Sequence, residues 1–163
     1  MYSTRVSRHV NAPRSAVYQA LVDADAIAKW RVPAGMSSHV HEFDAREGGS
    51  FRISLTYDAQ GPVGKSTAHT DTYHGHFAEL VPDERVVEVF EFETADPGLR
   101  GTMTMTTTLT DAAEGGTEVV ITHDGMPDSV PAADNATGTR MALANLAALV
   151  ETGHAPAPTE PAR

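Results

Sequence analysis

The side chains able to do chemistry in this chain are imidazoles, carboxylates and phenols, because its 163 residues include no cysteine. Disulfides, thiolate nucleophiles and Cys-ligated metal sites are therefore excluded. Eight histidines invite a metal reading. His39 and His41 alternate on one strand-like segment and His74 and His76 on another, so each pair projects to one face. The order of elements places a further strand between the pairs, which sets them about 10 Å apart, too far for one ion. His69 falls in a polar loop and His154 in the tail. The expectation is surface or partly buried imidazoles, with no metal and no cofactor.

Glu88 is the more informative residue. In RVVEVFEFET, Val86, Phe90 and Phe92 share its parity, so strict alternation puts a carboxylate among apolar side chains facing inward. Desolvated there, its pKa would rise and it would suit general acid or base work. A β-bulge near Val89 would instead turn Glu88 to solvent and leave Val87 and Val89 inside. His123, in the last strand-like segment, is the second polar candidate. It reads either as a catalytic partner of Glu88 or as a core imidazole satisfied by the backbone. Tyr18, Tyr57 and Tyr73 offer hydroxyls that orient a ligand, or rings that pack on a strand face. Asp44 and Arg46 have the parity to pair structurally. No nucleophile elbow, GxGxxG or GxxxxGK[ST] motif is present. The segment GPVGKST at 61–67 lacks the first glycine of a phosphate loop and reads as a hairpin loop.

The elements that position these residues follow from hydrophobic period. RVSRHV is a short strand; PRSAVYQALVD carries Ala16, Val17, Ala20 and Leu21 at helical spacing, with Asn11 or Ala12 at the cap. A second short helix covers Asp25–Trp30. Six strands follow: SHVHEFDAR, SFRISLTYD, HGHFAELV, RVVEVFEFET, TMTMTTTLT and TEVVITHD. A helix runs from about Asp134 to Glu151, with Met141, Ala142, Asn145, Leu146 and Leu149 on one face and Leu143 and Val150 beside it. Local turns imply an antiparallel sheet, and segregated helices imply α+β. A curved sheet around one long helix leaves a cavity suited to small apolar ligands. Residues 1–152 read as a single domain and 153–163 as a disordered Pro- and Ala-rich tail.

Twelve Lys and Arg against 22 Asp and Glu give a net charge of −10, which disfavours a nucleic-acid partner. The charge concentrates between Asp71 and Asp134, where 14 acids meet only Arg85 and Arg100. Interleaved with apolar residues, these acids read as solvated strand faces. No stretch has the length of a membrane span, and the first segment lacks an apolar signal core. A cytoplasmic location is expected.

A set of motifs runs along residues 4–152: Ala12–Pro13 before Val17 and Tyr18, Ala28–Lys29–Trp30, and Asp44–x–Arg46–x–Gly48–Gly49. They continue with Gly75–x–Phe77–x–Glu79–Leu80–x–Pro82, Glu84–Arg85–Val86–Val87, Gly115–Gly116–Thr117–Glu118, His123–x–Gly125, and Arg140–Met141–Ala142–Leu143 with Leu146–Ala147. In order and spacing these motifs resemble the START-like, birch-pollen-allergen-like superfamily (SRPBCC). The branch they resemble is named after activators of a heat-shock-protein ATPase. The resemblance implies a helix-grip fold of about seven strands. The family's usual tryptophan over the cavity is here Thr139, which implies an enlarged or reshaped pocket. Members include hydrophobe carriers, polyketide cyclase-like enzymes and co-chaperone domains, and fold analogy does not choose among them.

The leading expectation is binding of a small apolar or aromatic molecule, lined by Phe51, Ile53, Tyr57, Phe90, Phe92, Met103, Met105, Met141 and Leu146. The alternatives are a cofactor-independent cyclase, dehydratase or hydrolase using Glu88 and His123, and a co-chaperone-like interaction module. A homodimer is compatible with any of these.

Overall fold

The computed structural model describes residues 1–57 and 70–152. The GPVGKST segment, His69, His154 and the tail at 153–163 lie outside the described residues. Strand β1 (Tyr2–Val10) leads into helices α1 (Arg14–Leu21) and α2 (Ala24–Trp30). Then come β2 (Met36–Phe43), β3 (Ser50–Tyr57), β4 (Thr70–Val81), β5 (Arg85–Phe92), β6 (Met103–Asp111) and β7 (Thr117–Met126). Helix α3 spans Ala132–Thr152. The sheet order is β1-β7-β6-β5-β4-β3-β2, and every neighbouring pair is antiparallel. The expected α+β helix-grip architecture is the one observed.

Alternation explains most of the core. Met103, Met105, Thr107 and Leu109 of β6 are buried, while the threonines between them are not. Val86, Glu88 and Phe90 of β5 are buried in the same way. The bulge in this part of the sheet lies on β4, between Phe77 and Glu79, and not near Val89. The partner strand absorbs the extra residue, so β5 keeps its alternation and Glu88 points inward. Gly75 sits opposite Phe90, and a Cβ there would fall 2.0 Å from the Val89 carbonyl oxygen. Only glycine permits this close approach.

The helices differ in detail from the sequence expectation. Pro13, with extended backbone, occupies the cap of α1 rather than Asn11 or Ala12, and no side chain caps that end. Asp23 caps α2 by accepting from the Asp25 N–H at 3.1 Å. On α3 the buried stripe is Thr139, Leu143, Leu146 and Ala147, while Met141 is 39% exposed. The helix packs on β1, α1 and α2 together. That packing turns Leu143 to the core and leaves Met141 and Ala142 toward the remaining gap. Where α3 stands away from the central strands, the gap is a cavity.

Candidate functional site

The cavity has a volume of about 750 Å³, within the usual range for small-molecule sites. Leu55, Tyr57, Tyr73, Phe90 and Phe92 wall it from β3, β4 and β5. Met105, Ile121, His123 and Met126 come from β6 and β7, and Trp30 and Arg31 from the end of α2. Gly138, Thr139, Met141 and Ala142 form the α3 side. Thr139, buried and bonded to its own helix through the Asn135 carbonyl, contributes little bulk there.

The polar floor is built from neighbouring strands. Register pairs Glu88 with Met105 and Met105 with His123, which sets the three side by side on the inner face. Arg31 reaches over them from the C-terminus of α2. One guanidinium nitrogen, Nη1, donates to Glu88 Oε1 at 2.7 Å, and the other, Nη2, to Met105 Sδ at 3.0 Å. The guanidinium also lies 5.8 Å from the centre of the Tyr73 ring. Burial works against the charge on Arg31, but the Glu88 carboxylate outweighs it and holds the guanidinium above its usual pKa. Burial likewise pushes the Tyr73 phenol up. Glu88 is only 3% exposed and does not line the cavity, because Arg31 lies over it. The 2.7 Å ion pair ties the two side chains together.

His123 is the second polar group. Its Nδ1 is buried with no hydrogen-bond partner among the described residues, so the backbone does not satisfy it. Burial first, and then the positive charge on Arg31, push its pKa down to about 4. The ring is neutral at physiological pH.

Backbone constraints fix Arg31 in turn. Asn145 of α3 donates through Nδ2 to the carbonyls on either side of it, Val32 at 3.0 Å and Trp30 at 3.3 Å. The Trp30 carbonyl is one that a helix C-terminus leaves without an internal partner, and Val32 follows the C-cap. Trp30 is itself locked by donation from Nε1 to the Ala20 carbonyl at 2.8 Å. Asn145→Ala is therefore expected to cost about 1–2 kcal/mol in denaturant unfolding. A loss below roughly 0.3 kcal/mol would mean that this clasp does not hold α2 to α3.

Of the side chains expected to line the ligand site, Tyr57, Phe90, Phe92, Met105 and Met141 do border the cavity. Phe51, Ile53, Met103 and Leu146 do not; each is sealed in the packed core. They face the right side of their elements, but other side chains cover them. Phe51, for example, packs between Phe77 and Tyr73. Tyr18 is buried away from the cavity, near Asp83 and Glu47. Asp44 and Arg46 do pair, at 2.7 Å, but in the turn after β2 rather than on a strand. His39 and His41 meet edge to face on β2, and His74 on β4 sits between Glu91 and Glu93, with β3 between the two strands. No three His, Asp or Glu groups converge as a cation would require, among the described residues.

Arg31 is the residue that sequence reasoning passed over. The signal was present in Glu88: an inward carboxylate requires a buried cation, and Arg31 directly follows the buried Trp30.

A seven-stranded sheet gripping α3 over such a cavity can be compared with known proteins. The family model described as Activator of Hsp90 ATPase homolog 1-like protein matches residues 11–151. The chain belongs to this family. Protein CV1439 from Chromobacterium violaceum is 33% identical, with a TM-score of 0.81 over 93% of this chain and 99% of that one. The AHSA1-like protein from Aeromonas hydrophila is 20% identical, with a TM-score of 0.66 over 93% and 94% of the two chains. DynU16, from the dynemicin biosynthetic locus, is 22% identical with a TM-score of 0.67 over 94% of this chain. The match takes in 48% of DynU16. At these identities the last two show the same fold. No curated protein matches the chain. No helix of this family member is long and apolar enough to cross a membrane, among the described residues.

Proposed function

We propose that this member of the activator-homologue family binds a small, largely apolar or aromatic molecule in the cavity between the sheet and α3, in the cytoplasm. One observation carries the reading: a cavity of about 750 Å³ walled largely by aromatic and aliphatic side chains, with the Arg31–Glu88 ion pair at its inner face. Burial of an apolar ligand against such walls contributes roughly 25 cal/mol per Å² of area removed from water. Thr139 leaves the α3 wall low, which favours a bulky ligand.

An acid–base enzyme is the second reading, and His123 is the observation that favours it. Its imidazole lines the cavity, and burial and Arg31 hold it neutral. Glu88 contributes less to that reading than its parity suggested, because Arg31 separates it from any bound molecule.

Thermal unfolding against a panel of polycyclic hydrophobes tests the binding reading. A ligand at 100 times its Kd adds about 2.7 kcal/mol of stability. Thr139→Trp, which fills the α3 side of the cavity, is expected to weaken binding by about tenfold or more. A panel in which no hydrophobe raises Tm would contradict the reading. So would a Thr139→Trp variant that binds as tightly as the parent.

A further inference from the structure

We infer that the ligand carries a neutral carbonyl group, held at its inner end by Arg31 and His123, and that acidic ligands of the same skeleton are rejected. This rests on the cavity being a binding site for apolar molecules.

Among the described residues, the Nη2 group of Arg31 has Met105 Sδ, at 3.0 Å, as its one hydrogen-bond acceptor, and a thioether sulfur is a weak acceptor. A ligand oxygen taking its place gains a charge-assisted hydrogen bond. His123 supplies the second donor. A proton on its sealed Nδ1 would be an unmet donor in dry surroundings, whereas a bare lone pair there costs less. The proton therefore sits on Nε2. Since the ring lines the cavity and Nδ1 is sealed, the edge bearing Nε2–H meets the ligand. Arg31 bonds Met105, and His123 pairs with Met105 across β6 and β7, so the two donors stand on the same stretch of the inner face.

Charge selects the neutral form of that acceptor. Among the described cavity-lining residues Arg31 is the one cation, and Glu88 at 2.7 Å already balances it. The other titratable lining groups are Asp71, Asp96 and Asp134, the tyrosines and the neutral His123. A ligand carboxylate would place a second anion on one guanidinium with no further counter-charge, at a desolvation cost the site does not offset. A ketone, aldehyde or quinone oxygen takes both donors without that cost.

Three matched probes test this on the full chain at neutral pH: acetylpyrene, ethylpyrene and pyrenecarboxylate. Acetylpyrene is expected to bind roughly ten- to a hundredfold more tightly than ethylpyrene, and pyrenecarboxylate about tenfold or more weakly than acetylpyrene. In the wild-type protein the infrared carbonyl stretch of bound acetylpyrene should fall below its value in hydrocarbon solvent. His123→Phe should shrink both that displacement and the acetylpyrene-to-ethylpyrene affinity ratio. Equal binding of acetylpyrene and ethylpyrene, tightest binding of the carboxylate, or an unshifted carbonyl stretch would each overturn the inference while leaving the apolar site standing. Failure of all three probes to bind would overturn the site itself.

Discussion

Glu88→Leu is expected to destabilise the protein by about 3–5 kcal/mol, and Arg31→Met to cost a similar amount. The double variant should recover to within roughly 1 kcal/mol of the parent, or exceed it. The reason is desolvation. Glu88 is 3% exposed and its 2.7 Å bond to Arg31 is its compensation for leaving water. Leucine in its place strands a guanidinium between Met105 and the Tyr73 ring. Methionine in place of Arg31 strands a carboxylate beneath an aromatic wall. Removing both charges leaves apolar groups in an apolar site. Urea unfolding of the four proteins of this double-mutant cycle gives the coupling directly. Single variants that each lose less than about 1 kcal/mol would show that the pair is hydrated rather than buried.

Stability is also expected to fall by up to about 3 kcal/mol as pH drops from about 6.5 to about 4. The sign follows from His123, whose folded pKa is pushed down to about 4 by burial and by Arg31. In that window the unfolded chain takes up a proton that the folded chain refuses, so acid favours unfolding. The contribution is whole above the ordinary imidazole value and has gone once pH reaches the folded one. His123→Phe should flatten most of the slope. His41 is also pushed down, first by burial and then by His39, so a smaller slope survives. Glu93 acts in a separate window. Its hydrogen bond from Arg52 holds its carboxyl at about 2, so its contribution is present above the ordinary carboxylate range and lost as pH falls toward that value. Unfolding free energies measured across pH for parent and variant check this, and parallel curves between pH 6.5 and 4 would contradict it.

The element order was legible because each segment carries a clean period. TMTMTTTLT alternates and buries Met103, Met105, Thr107 and Leu109, and RVVEVFEFET buries Glu88 by the same rule. Parity gives the face of a strand but not the depth along it. Ile53 and Tyr57 share a face of β3, yet Ile53 is sealed in the core and Tyr57 borders the cavity. Which end of the strand meets the gap depends on where α3 crosses, a long-range fact. The α3 stripe was displaced for a related reason. Helical period fits several adjacent faces of an alanine-rich helix, and packing on β1, α1 and α2 chose the one centred on Leu143. Arg31 and Glu88 are 57 residues apart, and no local pattern links them. Only the cost of a lone buried carboxylate pointed to a partner. The sequence left Glu88 open between an inward and an outward direction; with the bulge on β4 rather than β5 it stays inward and bonds Arg31.

Whether the cavity takes up an apolar molecule can be read directly from the six methionines. Met36, Met105, Met126 and Met141 line the cavity, whereas Met103 is sealed in the core and Met1 is 87% exposed. In protein carrying isotope-labelled methionine methyl groups, titration with ethylpyrene should shift the four cavity methyl resonances along one saturable curve. Ring-current effects fall off steeply with distance, so the Met1 resonance should stay in place and Met103 move least of the buried set. Four cavity resonances unmoved at saturating probe, or a shift of Met1 as large as theirs, would contradict the account.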